Sequence, residues 1–103
     1  MDYLALFFAG AFLCNAIPHL ASGLRGETFP TPFATPRGEG PSSALVNVLW
    51  GGLNVVVGLL LLSWAPVAPG LSLRFATLIA GAFAIGIYLA LHFESVRRGG
   101  WKS

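Results

Sequence analysis

Three stretches of the chain, roughly Tyr3–Ala21, Ala44–Trp64 and Leu73–Phe93, hold no Asp, Glu, Lys or Arg except Arg74, at the edge of the third. Each is close to the length of about 20 mostly apolar residues that takes a helix, rising about 1.5 Å per residue, across a hydrocarbon core about 30 Å thick. A soluble bundle built from them would lack amphipathic partners to cover helices that are apolar on every side. With 55% hydrophobic and 10% charged residues and a mean hydropathy of +0.74, little sequence remains for a soluble domain. The chain therefore reads as an all-α membrane protein, a single membrane domain of 103 residues. Its expected parts are spans at about 3–21, 44–64 and 73–93, a Pro/Gly-rich loop at 23–43, and a basic tail at 94–103.

The first span does not resemble a cleaved signal peptide. Its only preceding charge is Asp2, and it runs into Asn15-Ala16-Ile17-Pro18-His19 rather than a small-residue cleavage site. With three spans, Arg74 lies on one side, and Arg25, Arg37, Arg97, Arg98 and Lys102 on the other. The positive-inside rule places the first loop and C-terminus in the cytoplasm and the N-terminus outside. The formal charge of +2 then reflects topology and contact with anionic lipid heads, not nucleic-acid binding.

The first loop is the least ordinary segment. Pro30, Pro32, Pro36 and Pro41 exclude a helix and favour extended geometry. Phe29 and Phe33 are costly on a solvated linker, so they are expected to dip against the helix ends and fold the loop into a cap. Arg25/Glu27 and Arg37/Glu39 are expected to stay in water, where such pairs contribute little. Ser42 or Ser43 is placed to cap the second helix and Ser72 the third. The short Ala65–Ser72 connection suggests that helices two and three form an antiparallel hairpin. Tyr3 and Trp64 are expected at the outer interface and Trp101 at the inner one, with a tail from Arg97 that is frayed or bound to a partner. The single Cys14 allows no intrachain disulfide and suits an apolar packing role.

Polar residues within the spans carry the most information, because an unpaired amide or imidazole in hydrocarbon is expensive. In the first helix Asn15, Pro18, His19 and Ser22 share a face, and Pro18 frees the carbonyl of Cys14, which is expected to kink the helix and leave that region to Asn15 or water. In the second, Asn47, Gly51, Asn54 and Gly58 form one seam of alternating amide and glycine, with Trp50 beside it. In the third, Thr77, Gly81, Ala84, Tyr88 and His92 form a comparable seam, and Ala82, Gly86 and Ala90 form a second row. Packed by their seams, the helices would bring Asn15, His19, Asn47, Asn54, Tyr88 and His92 together below the Pro-rich loop. The simplest role for this cluster is hydrogen-bonded glue.

Function is less constrained. There is no Ser-His-Asp arrangement, phosphate-cradling loop, HExxH or buried carboxylate pair, so catalysis is not expected. The spans carry no acidic residue of the kind a proton-coupled transporter needs. The primary expectation is a non-enzymatic accessory or assembly subunit, packing with itself or a larger membrane complex through small-residue ridges such as Ala76-x-x-x-Ala80-x-x-x-Ala84. The alternative is an intramembrane binder of a small ligand, a quinone, a lipid or a haem, using Asn15, His19 and His92.

The run Asn15-x-x-Pro18-His19, then Phe29-x-x-Pro32-Phe33-Ala34-x-Pro36-x-Gly38-x-Gly40, then Ser42-Ser43 and Asn47-Val48-Leu49-Trp50-Gly51, resembles uncharacterised small bacterial inner-membrane proteins. The resemblance covers about the first half of the chain and brings no activity. It implies a bacterial inner-membrane location and a loop that forms one unit with the helix ends.

Overall fold

The computed structural model describes residues 2–99, so the interfacial role expected of Trp101 lies outside the described residues. It is all-helical: α1 (Asp2–Leu24), α2 (Ala44–Trp64) and α3 (Leu73–Arg98). All three are long and apolar enough to cross a membrane. The long axis of 42 Å matches a bilayer of about 40–45 Å including its headgroups. Large apolar side chains such as Leu49, Leu53, Phe83 and Ile87 stand exposed on the outer faces, as they do when lipid is the solvent.

Local signals set the helix starts. The Ser43 hydroxyl accepts from the Val46 amide at 3.1 Å, and the Ser72 hydroxyl accepts from the Phe75 amide at 3.0 Å, each satisfying an amide with no intrahelical partner. The third helix does not end near Phe93 but continues to Arg98, and the tail beyond Gly99 lies outside the described residues. No breaker intervenes before Gly99, and Glu94 pairs with Arg98 one turn on at 2.9 Å. The first helix runs unbroken through Pro18. The Asn15 amide turns to Asn54, 3.0 Å away, rather than back to the carbonyl that Pro18 frees.

The order of helices in space departs from the expected hairpin. α1 packs against both α2 and α3, whereas no Cα of α2 comes within 8 Å of one in α3 among the described residues. The central position of α1 follows from its small residues and from those it meets. A Cβ at Gly81 would strike the Phe7 carbonyl, and one at Gly10 would strike the Leu78 carbonyl. α1 and α3 thus touch backbone to backbone. On the other side, Leu20 and Leu13 of α1 fill the space over Gly51 and Gly58, at 2.7 and 2.6 Å from where a Cβ would stand. The buried residues of α2 are Asn47, Gly51, Asn54 and Gly58, the seam expected for it.

The seam expected for α3 is only partly used. Gly81 is buried, but Ala84 and Tyr88 are exposed, and the Thr77 hydroxyl donates to the Leu73 carbonyl of its own helix. The neighbouring row serves instead, with Ala82 against Gly10 and Gly86 against Cys14. At the far end from the Pro-rich loop, Arg74 reaches the Asp2 carboxylate at 3.3 Å and donates to the Pro66 carbonyl at 2.7 Å. Its guanidinium also lies 5.9 Å from the Tyr3 ring centre. The one basic residue of the expected spans is therefore held at a helix end, where water is within reach.

Candidate functional site

The segment between α1 and α2 folds over the ends of the helices as a lid. Phe29 and Ser42 pair as a single antiparallel bridge, each amide donating to the other's carbonyl at 3.1 Å. Thr31, 1% exposed, bonds the Ser42 hydroxyl at 2.7 Å. Gly38 adopts φ +71°, a left-handed conformation that side chains disfavour. Its amide donates to the Thr31 carbonyl at 2.9 Å.

Asn47 is the pin that joins lid to helices. Fully buried, it donates through Nδ2 to the carbonyls of Phe29 (2.9 Å), Ser42 (3.3 Å) and Ser43 (3.0 Å). Its Oδ1 is left to face His19 Nδ1, 2.8 Å away. Carbonyls on the nitrogen side fix which way the amide points, so Nδ1 of His19 must be the donor. In the neutral ring the proton sits on Nδ1 and Nε2 is a bare acceptor. His92 is held in the opposite sense: its Nε2–H donates to the Gly38 carbonyl at 2.7 Å, which leaves Nδ1 as its acceptor. His19 thus ties α1 to Asn47 of α2, and His92 ties α3 to the lid.

Aromatic rings close the space between them. Phe29 lies 5.5 Å from His19 and 4.6 Å from Phe93, which is itself 5.0 Å from His92. Trp50 meets His19 at 6.5 Å and Phe33 edge-on at 5.3 Å. Tyr88 and His92 stack, nearly parallel, at 5.8 Å. Of the two loop phenylalanines only Phe29 is buried, whereas Phe33 is 67% exposed and touches the cluster through Trp50.

Because α2 and α3 stand apart, a cleft remains between them with α1 as its floor. Its lid end is a pocket of about 160 Å³ walled by His19, Thr31, Trp50, Tyr88, His92 and Phe93. A compartment of about 280 Å³ shares Asn15, Trp50, Tyr88 and Leu89 with that pocket and adds Phe8, Ala11, Phe12, Asn54 and Ile85. Asn15, His19, Trp50, Tyr88 and His92 therefore do converge, along one cleft rather than in a closed core. Asn47 stands behind its wall, whereas Asn54 lines the larger compartment and donates to the Trp50 carbonyl at 2.8 Å. Gly51, Gly58, Gly81 and Gly86 act in helix packing. No group of three or more His, Cys, Asp or Glu side chains is placed to hold a metal ion among the described residues.

Sequence reasoning missed Thr31, Gly38 and Phe93. Thr31 had a signal, a lone hydroxyl between two prolines in an apolar Phe-Pro-Thr-Pro-Phe run. Gly38 acts through its carbonyl, for which no side chain speaks.

Outside the pocket, Arg25 and Glu27 pair at 2.8 Å. The hydrogen bond and charge of Arg25 hold the Glu27 carboxyl below its ordinary pKa. The pair favours the folded lid above the ordinary carboxylate pKa, and this is lost as pH falls through the lowered value. Both groups are open to water, so the effect is screened. In an NMR titration Glu27 should show a depressed midpoint that returns toward normal in high salt. Glu27→Gln should leave the unfolding midpoint nearly unchanged.

No protein-family model, curated protein or solved structure matches the chain, and the functional reading rests on its own residues.

Proposed function

We propose that the protein is a non-enzymatic membrane binding protein that holds one apolar-tailed molecule in the cleft between α2 and α3, beneath the Pro-rich lid. The observation that carries this reading is the cleft's lid end, where His19 is 2% exposed and its Nε2 has no partner among the described residues. Glue that only held the helices together would leave no such atom, because a buried acceptor without a donor costs about 1–3 kcal/mol. Mostly apolar walls with a few convergent polar groups are the usual make-up of a small-molecule site. A pocket of about 160 Å³, and a His92 whose Nε2 is committed to Gly38, favour a small head group over a haem.

The membrane is a bacterial inner membrane, with the N-terminus outside and the lid and C-terminus in the cytoplasm. In support, five of the six Lys and Arg residues lie in the first loop and the C-terminal segment. Protein released from its native membrane in mild detergent should carry an extractable amphiphile at about one per chain, detected by mass spectrometry. Ala11, on the cleft floor, offers the control: Ala11→Trp fills the cleft and should abolish retention without unfolding the helices. Equal retention by wild type and Ala11→Trp would remove the cleft from the account.

A second reading, an accessory subunit that packs with itself or a larger complex, is favoured by the ridge Ala76, Ala80 and Ala84, which remains exposed on α3. A defined oligomer or stoichiometric partner that Ala80→Leu dissociates would support it, and a monodisperse monomer would oppose it.

A further inference from the structure

We infer that the lid end of the cleft recognises a single aromatic ring bearing hydroxyl groups, a quinol-type head on an apolar tail, through a hydrogen bond from a ring hydroxyl to His19 Nε2. The inference rests on the cleft reading and names its ligand.

The tautomers decide the chemistry. Three carbonyls orient Asn47, Asn47 makes Nδ1 of His19 the donor, and Nε2 is left able only to accept. His92, which lines the same pocket, offers no free N–H there, because its Nε2–H is committed to the Gly38 carbonyl. A ligand that completes this site brings donors. A hydroxyl does so, whereas a carbonyl or an ether oxygen would meet the Nε2 lone pair with its own.

Size and shape indicate a ring. An apolar cavity of about 150 Å³ takes one benzene, and this pocket is about 160 Å³. Its walls include flat surfaces: the stacked Tyr88–His92 pair, Phe93 and Trp50. The adjoining compartment of about 280 Å³, with Phe8, Phe12 and Ile85, is apolar and suits the start of a tail. A ring lying against such faces gains offset or edge contacts beyond area burial.

The test compares four decyl-tailed probes on detergent-purified full-length protein, without oxygen: the 1,4-benzoquinol, its quinone, its dimethyl ether and plain decanol. Each dissociation constant is read from the ligand-dependent rise of the unfolding midpoint. The quinol is expected to bind about tenfold or more tighter than the quinone and the ether, the scale on which a site built for a hydroxyl rejects an analogue without one, and tighter than decanol, which keeps a hydroxyl but lacks the ring. His19→Phe keeps a ring and should bring the quinol-to-ether ratio down to about one. If that variant does not fold, the wild-type series decides alone. An ether or quinone that binds as tightly as the quinol overturns the hydrogen bond, and decanol binding as tightly overturns the ring. In either case tailed molecules still bind and the cleft reading stands. If no probe raises the midpoint, both fall.

Discussion

Gly81→Leu is expected to separate α3 from α1. The side chain's first carbon would strike the Phe7 carbonyl oxygen, and a backbone oxygen within a helix cannot rotate away as a side chain can. Overpacking of ordinary cores costs about 1–3 kcal/mol. Here the obstacle is main chain on both sides of the contact, so the loss should exceed about 3 kcal/mol. Gly10→Leu should behave alike, since its Cβ would strike the Leu78 carbonyl. Gly52 is the control: nothing lies within 4 Å of a Cβ there, and Gly52→Leu should change stability by about 0.5 kcal/mol or less. Unfolding in mixed micelles, followed by circular dichroism, measures all three. A Gly81→Leu protein as stable as Gly52→Leu would mean that α1 and α3 are not in backbone contact.

Asn47→Leu is expected to lift the lid. The change keeps the volume but removes the amide that three carbonyls and His19 share. The carbonyls of Phe29, Ser42 and Ser43 each keep a backbone donor, from Ser42, Phe29 and Asn47 respectively. The His19 Nδ1–H is stranded in the interior, and the expected loss is about 2–4 kcal/mol. Because the bonds to the Phe29 and Ser42 carbonyls join lid to helix, the loss should fall mainly at the lid. Protease cleavage within residues 25–41 should rise about tenfold or more, while helix content is largely kept. Uniform loss of helix, or no change in cleavage, would contradict the role assigned to Asn47.

The helices and the α2 seam were legible because lipid leaves little choice. Apolar length defines a span, and an Asn or Gly every third or fourth residue is rare enough to mark its buried face. Ser43 and Ser72 read as caps for an equally local reason. The spatial order of the helices was not legible. A short Ala65–Ser72 link suggests that its flanking helices pair, yet with Pro66, Pro69 and Gly70 it lets α3 settle on α1 instead. Small residues lie on several sides of α3, at Ala76, Ala80, Gly81, Ala82, Ala84 and Gly86. Spacing alone did not say that Gly81 meets Phe7 and Ala82 meets Gly10 while Ala84 faces outward.

The site was half legible for the same reason. Asn15, His19, Trp50, Tyr88 and His92 stood out as polar or aromatic residues near one end. Which of them bond and which line a cleft depends on α2 and α3 standing apart. The partner of His92 is the carbonyl of Gly38, a main-chain atom in a turn, and no residue pattern announces it. Phe93, central among the rings, looked like the ordinary end of an apolar span.

Disulfide mapping in native membranes tests the central arrangement, α1 between α2 and α3 with an open cleft opposite, most directly. The native Cys14 should cross-link to Gly86→Cys, whose Cβ would lie 3.5 Å from its sulfur. In a Cys14→Ser background, Leu13→Cys should cross-link to Gly58→Cys, the α2 position that Leu13 covers. Asn54→Cys with Ile85→Cys, on opposite walls of the cleft, should remain reduced, since no α2 and α3 Cα atoms lie within 8 Å and a disulfide needs less than about 7 Å. Ready oxidation of that last pair, with the first two left free, would contradict the account.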